Sequence, residues 1–147
     1  MISIKEIKQK DIALCLELDL DTISLWNKKQ WHNEFKKEGI KVLGLSLSDL
    51  IIGICVFQVV FDEVQINYFA VKKQFRRKGF GSYLMNYSIK YCEKLKIKKI
   101  LLEVSESNSI AENFYNNFNF STVGMRKKYY KDGSNAFLKE KKIIINN

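Results

Sequence analysis

Residues 71–82, Val71-Lys72-Lys73-Gln74-Phe75-Arg76-Arg77-Lys78-Gly79-Phe80-Gly81-Ser82, place three consecutive cations and two glycines between an apolar run and an amphipathic one. That composition suits an anion. Glycine lets backbone N–H groups turn inward, a following helix N-terminus adds partial positive charge, and Arg76, Arg77 and Lys78 add full charges. A pyrophosphate fits this environment, although a Gly-x-Gly beside cations also occurs where a chain merely turns, so the segment alone leaves both readings open. A Walker loop is excluded by the lack of Gly-Lys-Ser/Thr, and Leu84 stands where a dinucleotide fingerprint needs its third glycine.

Two further side chains could move protons. Glu103 interrupts the apolar run Ile100-Leu101-Leu102-Glu103-Val104, where a lone charge is costly unless it is paired or serves a reaction. A carboxylate whose pKa burial has raised would accept a proton from an amine. Tyr115 falls on the inward stripe of a helix beside Phe114 and Phe118, and by spacing alone it reads as an aromatic core residue. His32, the single histidine, reads as a helix-surface residue.

The elements that must position these groups follow from periodicity. Ile2 and Ile4 alternate with polar neighbours as in a strand, and Asp11 can cap a helix carrying Ile12, Cys15 and Leu16. Asn27 and Gln30 have capping-box spacing for a second helix through Trp31 and Phe35, which Gly39 stops. Three apolar strands, 40–47, 50–61 and 64–71, are joined by short turns and so form an antiparallel meander. After the basic loop, residues 82–95 place Leu84, Ser88, Tyr91, Cys92 and Leu95 on one helical stripe. A buried strand at 100–104 and a helix carrying Ile110, Ala111, Phe114, Tyr115 and Phe118 imply parallel pairing, and 121–130 with 135–143 flank the hairpin signal Asp132-Gly133.

The 147 residues, 46% hydrophobic, suit one domain, 1–147, with one core. No apolar run approaches the roughly 18 residues that would span a bilayer, and the start carries no signal core. A soluble, cytoplasmic protein without membrane contact is expected. Cys15, Cys55 and Cys92 lack paired spacing, so they read as small buried hydrophobes, with no disulfide framework and no metal site. The net charge of +9 fits a polyanionic cofactor or RNA, but the lysines are spread along the whole chain instead of forming a patch.

The loop motif and its setting resemble the GNAT superfamily of N-acetyltransferases, whose signature Gln/Arg-x-x-Gly-x-Gly/Ala is matched by Arg76, Gly79 and Gly81. The resemblance implies a mixed, mostly antiparallel α/β sheet of about seven strands, splayed at the cofactor site, with about four helices on both faces. It implies acetyl-CoA as cosubstrate, its pyrophosphate cradled by Arg76, Arg77, Lys78, Gly79, Phe80, Gly81 and Ser82, and its pantetheine arm along Phe69, Ala70 and Val71. Lys73 replaces a frequent family proline. The family run Asn-x-x-Ala-x-x-x-Tyr is matched by Asn108, Ala111 and Tyr115, which implies Tyr115 as general acid at the CoA sulfur and Asn108 against the CoA arm; Glu103 is then the expected base.

Within the superfamily the chain is most similar to the RimI type, which acetylates the N-terminal alanine of a bacterial small-subunit ribosomal protein. Phe61-Asp62-Glu63, Leu101-Leu102-Glu103-Val104 with Asn108, Phe114-Tyr115, and Arg126-Lys127-Lys128-Tyr129-Tyr130 carry that similarity. It implies a protein N-terminus as acceptor, in a groove walled by the Trp26 region and by Tyr129 and Tyr130. Asp62 and Glu63 are candidates to attract a basic acceptor. Two alternatives remain: an acetyltransferase for a small amine or a lysine, and a basic RNA-binding module without catalysis, although no direct nucleic-acid role is expected.

Overall fold

The computed structural model describes residues 1–143; residues 144–147, the end of the expected 1–147 domain, lie outside the described residues. Among the described residues one seven-stranded sheet runs in the order β1-β2-β3-β4-β5-β7-β6. Strand β1 (Ile2–Glu6) leads into helices α1 (Ile12–Leu20) and α2 (Lys28–Phe35). The meander β2 (Ile40–Leu47), β3 (Leu50–Val60) and β4 (Glu63–Val71) follows, then α3 (Phe80–Lys94), β5 (Lys99–Ser105), α4 (Ser109–Asn117), β6 (Ser121–Arg126) and β7 (Ala136–Lys142). This is the splayed mixed sheet with helices on both faces that the sequence led us to expect.

Local chemistry sets the helix ends. Both halves of the capping box at α2 are made: the Asn27 side chain accepts from the Gln30 amide at 2.8 Å, and the Gln30 side chain accepts from the Asn27 amide at 2.9 Å. Asp11 stands before α1 without capping it, because a 3-10 turn over Gln9–Asp11 already carries the chain into the helix. Gly39 has φ +78, and a Cβ there would run into the Val59 carbonyl oxygen, so only glycine permits the entry to β2. Helix α3 starts at Phe80, two residues before its expected start, because Arg77 (φ +61) and Gly79 (φ +84) turn the chain directly into it.

Two apolar layers flank the sheet. One packs α1 and α2 through Cys15, Leu18 and Trp31 against Val42, Ile54, Val56, Tyr68 and Ala70; the other packs α3 and α4 through Leu84, Met85, Cys92 and Tyr115 against Leu43, Leu45, Cys55 and Phe57. Full burial of such a side chain contributes roughly 1.5–3 kcal/mol. Met85 and Ile89 complete the buried stripe of α3, whereas Leu95, expected on it, lies beyond the last turn and is 47% exposed. Ile110, expected inward, is 77% exposed at the start of α4.

Two irregularities make room for a site. Opposite Val56 and Phe57 the β3–β4 register skips Asn67, so β4 carries one extra residue. Because strand side chains alternate, that bulge reverses the faces: Val64 and Ile66 enter the α3 layer, while Tyr68 and Ala70 enter the α1–α2 layer. Phe69 is thereby turned toward α3 and α4. Strands β4 and β5 pair in parallel only from Glu63–Lys99 to Gln65–Leu101. Beyond that point they diverge.

The final hairpin differs from its expected form. Strand β6 stops at Arg126, and residues 127–135 form a long connection with Gly133 at φ +83, closed by the Ser134 amide on the Asp132 carboxylate. Tyr129 and Tyr130 therefore sit in a loop, not on a strand. No helix among the described residues is long and apolar enough to cross a membrane, and none of their His, Cys, Asp and Glu side chains cluster in a group that could hold a metal.

Candidate active site

The splay between β4 and β5 opens into two adjoining clefts. The larger, about 740 Å³, runs from the end of β4 along the basic loop and takes Val71, Arg76, Arg77, Gly79, Gly81 and Ser82 into its walls. The smaller, about 280 Å³, lies between the diverging strands and takes in Glu103, Tyr130, Asn67 and Leu25. Five residues line both: Ile23, Phe69, Asn108, Ala111 and Tyr115.

The loop fits an anion by its own geometry. Arg76 does not point outward as a free charge; its Nε donates to the Val71 carbonyl at 2.9 Å, tying the loop to the end of β4. Gly79 heads α3, so the first amides of a 15-residue helix face the larger cleft beside Arg77 and Lys73. A Cβ at Gly81 would stand 3.5 Å from the Phe114 ring, inside that cleft. Lys78 and Phe80 have no place in its wall; Phe80 packs against Phe75 at 6.1 Å between ring centres, in the α3 layer.

Tyr115 is buried among Phe69, Phe114 and Phe120, with ring centres 6.4, 5.5 and 5.8 Å away. Burial pushes its phenol well above the usual tyrosine value, and Cys55 and Tyr130 add to the rise. A protonated hydroxyl is thus held where the two clefts meet. Asn108 accepts from the Ala111 amide at 3.1 Å and caps α4, the helix that carries Tyr115.

Glu103 is only partly withdrawn from water. Its side chain is 21% exposed, and Arg126 Nε reaches it at 3.3 Å, so the charge in the apolar run is partly open to water and paired, with an arginine. Its β5 neighbours Leu102 and Val104 point into the core. Tyr130 faces Glu103 across the smaller cleft; burial first, then the Glu103 carboxylate, then Tyr129 push its phenol upward. Tyr129 is 52% exposed and lies under the Arg126 guanidinium at 5.4 Å.

The remaining expected groove residues lie elsewhere. Asp62 pairs with Lys98 at 3.4 Å and Glu63 with Lys99 at 3.2 Å, at the paired beginning of β4. Six residue steps along the strand, roughly 20 Å, separate Glu63 from Phe69. Trp26 packs edge-on against Trp31 at 4.8 Å and against Tyr68 at 5.5 Å, as part of the α1–α2 layer. The residues of that segment that do reach the clefts are Thr22, Ile23 and Leu25, which the aromatic signal of Trp26 overshadowed in the sequence.

A parallel βα unit whose glycine-bearing turn faces a cleft, beside a splay holding a carboxylate and a phenol, defines a group-transfer enzyme that takes a phosphate-bearing donor. The model of the Acetyltransferase (GNAT) family matches residues 10–120, and the chain belongs to that family. It is an acetyl-CoA-dependent acyltransferase. It is 32% identical over 113 residues to the ribosomal protein bS18-alanine N-acetyltransferase of Haemophilus ducreyi, covering 74% of this chain and 76% of that one. The enzyme of the same name from Salmonella typhimurium is 31% identical over 107 residues, 71% of this chain and 70% of its own. The crystal structure of the ribosomal-protein-S18-alanine N-acetyltransferase from Escherichia coli shares the fold, with a TM-score of 0.93 at 24% identity over 100% of this chain and 97% of that one.

Proposed function

We propose that the protein acetylates the α-amine at a protein N-terminus, with the N-terminal alanine of a small-subunit ribosomal protein as acceptor. The observation that carries this reading is the junction of the two clefts. A loop suited to a diphosphate lines only the larger, Glu103 lines only the smaller, and Tyr115 lines both. The names of the relatives point to the same acceptor.

The amides from Gly79 through Ser82, with Arg77 and Lys73, would hold the cosubstrate's diphosphate, and Phe69, Ala70, Val71 and Asn108 its arm. When bound there, it supplies a thioester carbonyl. Glu103 accepts the proton of the acceptor's ammonium at its carboxylate, because an α-amine with a pKa near 8 is largely protonated at neutral pH. Tyr115 keeps its proton and can donate it from Oη toward the leaving thiolate. Tyr130, Ile23 and Leu25 narrow the acceptor cleft to an extended chain end.

Release of free thiol is to be measured with an N-terminal Ala peptide, an internal-lysine peptide and spermidine. The proposal expects the Ala peptide to be the best substrate; turnover of spermidine or lysine alone would replace the acceptor class. The RNA-binding alternative predicts RNA retention that falls steeply with salt and no heat on adding acetyl-CoA.

A further inference from the structure

Asp19, in α1, is wholly buried, and the chemistry above does not use it. Its carboxylate accepts four hydrogen bonds. Oδ1 takes the Leu25 amide at 2.9 Å and the Tyr68 hydroxyl at 3.1 Å; Oδ2 takes the Trp26 amide at 2.9 Å and the Trp31 indole N–H at 3.1 Å. The Asp19 backbone carbonyl also accepts from Ser24 at 2.7 Å, and Ser24 is bent into the left-handed region at φ +50. All four partners of the carboxylate are neutral.

A buried charge held by neutral donors is a costly way to pin a helix to a sheet, since apolar packing would do so without a desolvation penalty. What the carboxylate adds is direction. It turns the Leu25 and Trp26 amides inward, which leaves Ile23 (50% exposed) and Leu25 (47% exposed) at the clefts. Through Tyr68 it also fixes this segment to the residue beside the Asn67 bulge, and the Tyr68 hydroxyl lies 3.2 Å from that of Thr22 in the larger cleft.

We infer that Asp19 is a positioning residue for the acceptor: by holding residues 22–26 against Tyr68 it sets where Ile23 and Leu25 meet the incoming chain end. The inference rests on the reading of the smaller cleft as the acceptor site. Asp19→Asn keeps the shape but aims an N–H₂ group at two of the four donors. The expected result is a KM for the N-terminal Ala peptide raised on the order of tenfold. The KM for acetyl-CoA changes less, staying within about threefold of the parent value, because its diphosphate loop is untouched and only Thr22 and Ile23 of the held segment line its cleft.

Tyr68→Phe removes one of the four bonds and retains the ring between Trp26 and Trp31. It should raise the acceptor KM in the same direction by a smaller factor, and it serves if Asp19→Asn does not fold. An unchanged acceptor KM in a folded variant overturns the inference, and so does a fall in rate that merely tracks the folded fraction with both KM values intact. The parent enzyme is assayed first. If it acetylates spermidine and no peptide, the proposed function fails separately, and the split is read with spermidine, where an unchanged acceptor KM again overturns the inference.

Discussion

Glu103 lines the smaller cleft from β5 and Tyr115 its junction with the larger from α4, and each can be substituted without emptying the cleft. Glu103→Gln keeps the volume and the Arg126 contact but cannot accept a proton. Its kcat should fall about 10²- to 10⁴-fold with the KM for acetyl-CoA unchanged, in steady-state kinetics. Tyr115→Phe keeps the ring among Phe69, Phe114 and Phe120 and should lower kcat by at least about tenfold. Equal rates for parent and variant would remove either residue from the mechanism. Because burial raises the Tyr115 phenol, Tyr115 remains protonated past pH 10, and if it is the proposed acid the rate should show no alkaline decline of its making below that pH.

At the scale of elements, the junction depends on how α4 and the basic loop are held. Lys139, buried on β7, donates to Glu112 at 3.2 Å, Asn116 at 3.0 Å and Thr122 at 2.8 Å, gripping α4 on both sides of Tyr115. Lys139→Met removes that grip while Glu112, Asn116 and Thr122 stay within reach of water, and should cost about 1 kcal/mol in denaturant unfolding. On the loop, Gly81→Val would push methyl groups toward Phe114 into the larger cleft, and calorimetry should show weaker acetyl-CoA binding by an order of magnitude or more.

The loop was legible in the sequence because its cations and glycines stand apart from apolar neighbours, and the capping box at Asn27 because its two partners are local. The face reversal at Asn67 was not, since residues 64–68 alternate smoothly across it and only pairing with β3 exposes the extra residue. Asp62 and Glu63 could have been placed from topology alone: in a parallel pair the start of β4 lies opposite the end that carries the site. Asp19 was not legible either: in Glu17-Leu18-Asp19-Leu20-Asp21 three acids alternate with leucines, and nothing local marks the middle one as buried.

Over the whole molecule, the buried protic groups determine how the fold answers to alkali. Burial pushes the Cys15, Cys55 and Cys92 thiols up to about 12 and the Tyr68 phenol above its usual value. The folded pKa values exceed those of the unfolded chain, so these groups cost nothing below about pH 8.5, and stability is lost as pH rises toward the folded values. Each thiol fully ionised in the unfolded chain lowers stability by about 1.4 kcal/mol per pH unit. The urea midpoint should therefore drop between pH 8 and pH 10; a midpoint that held or rose would show these thiols to be open to solvent.

The same architecture joins a cleft lined by the basic glycine loop to the one proposed for the acceptor, and the most direct test is where the acetyl group goes. A peptide beginning with Ala and carrying one internal lysine is incubated with acetyl-CoA and the enzyme, and the product is sequenced by mass spectrometry. The account predicts a single acetyl group on the α-amine, lost in Glu103→Gln. Acetyl on the lysine, or no peptide product while spermidine is consumed, would contradict it.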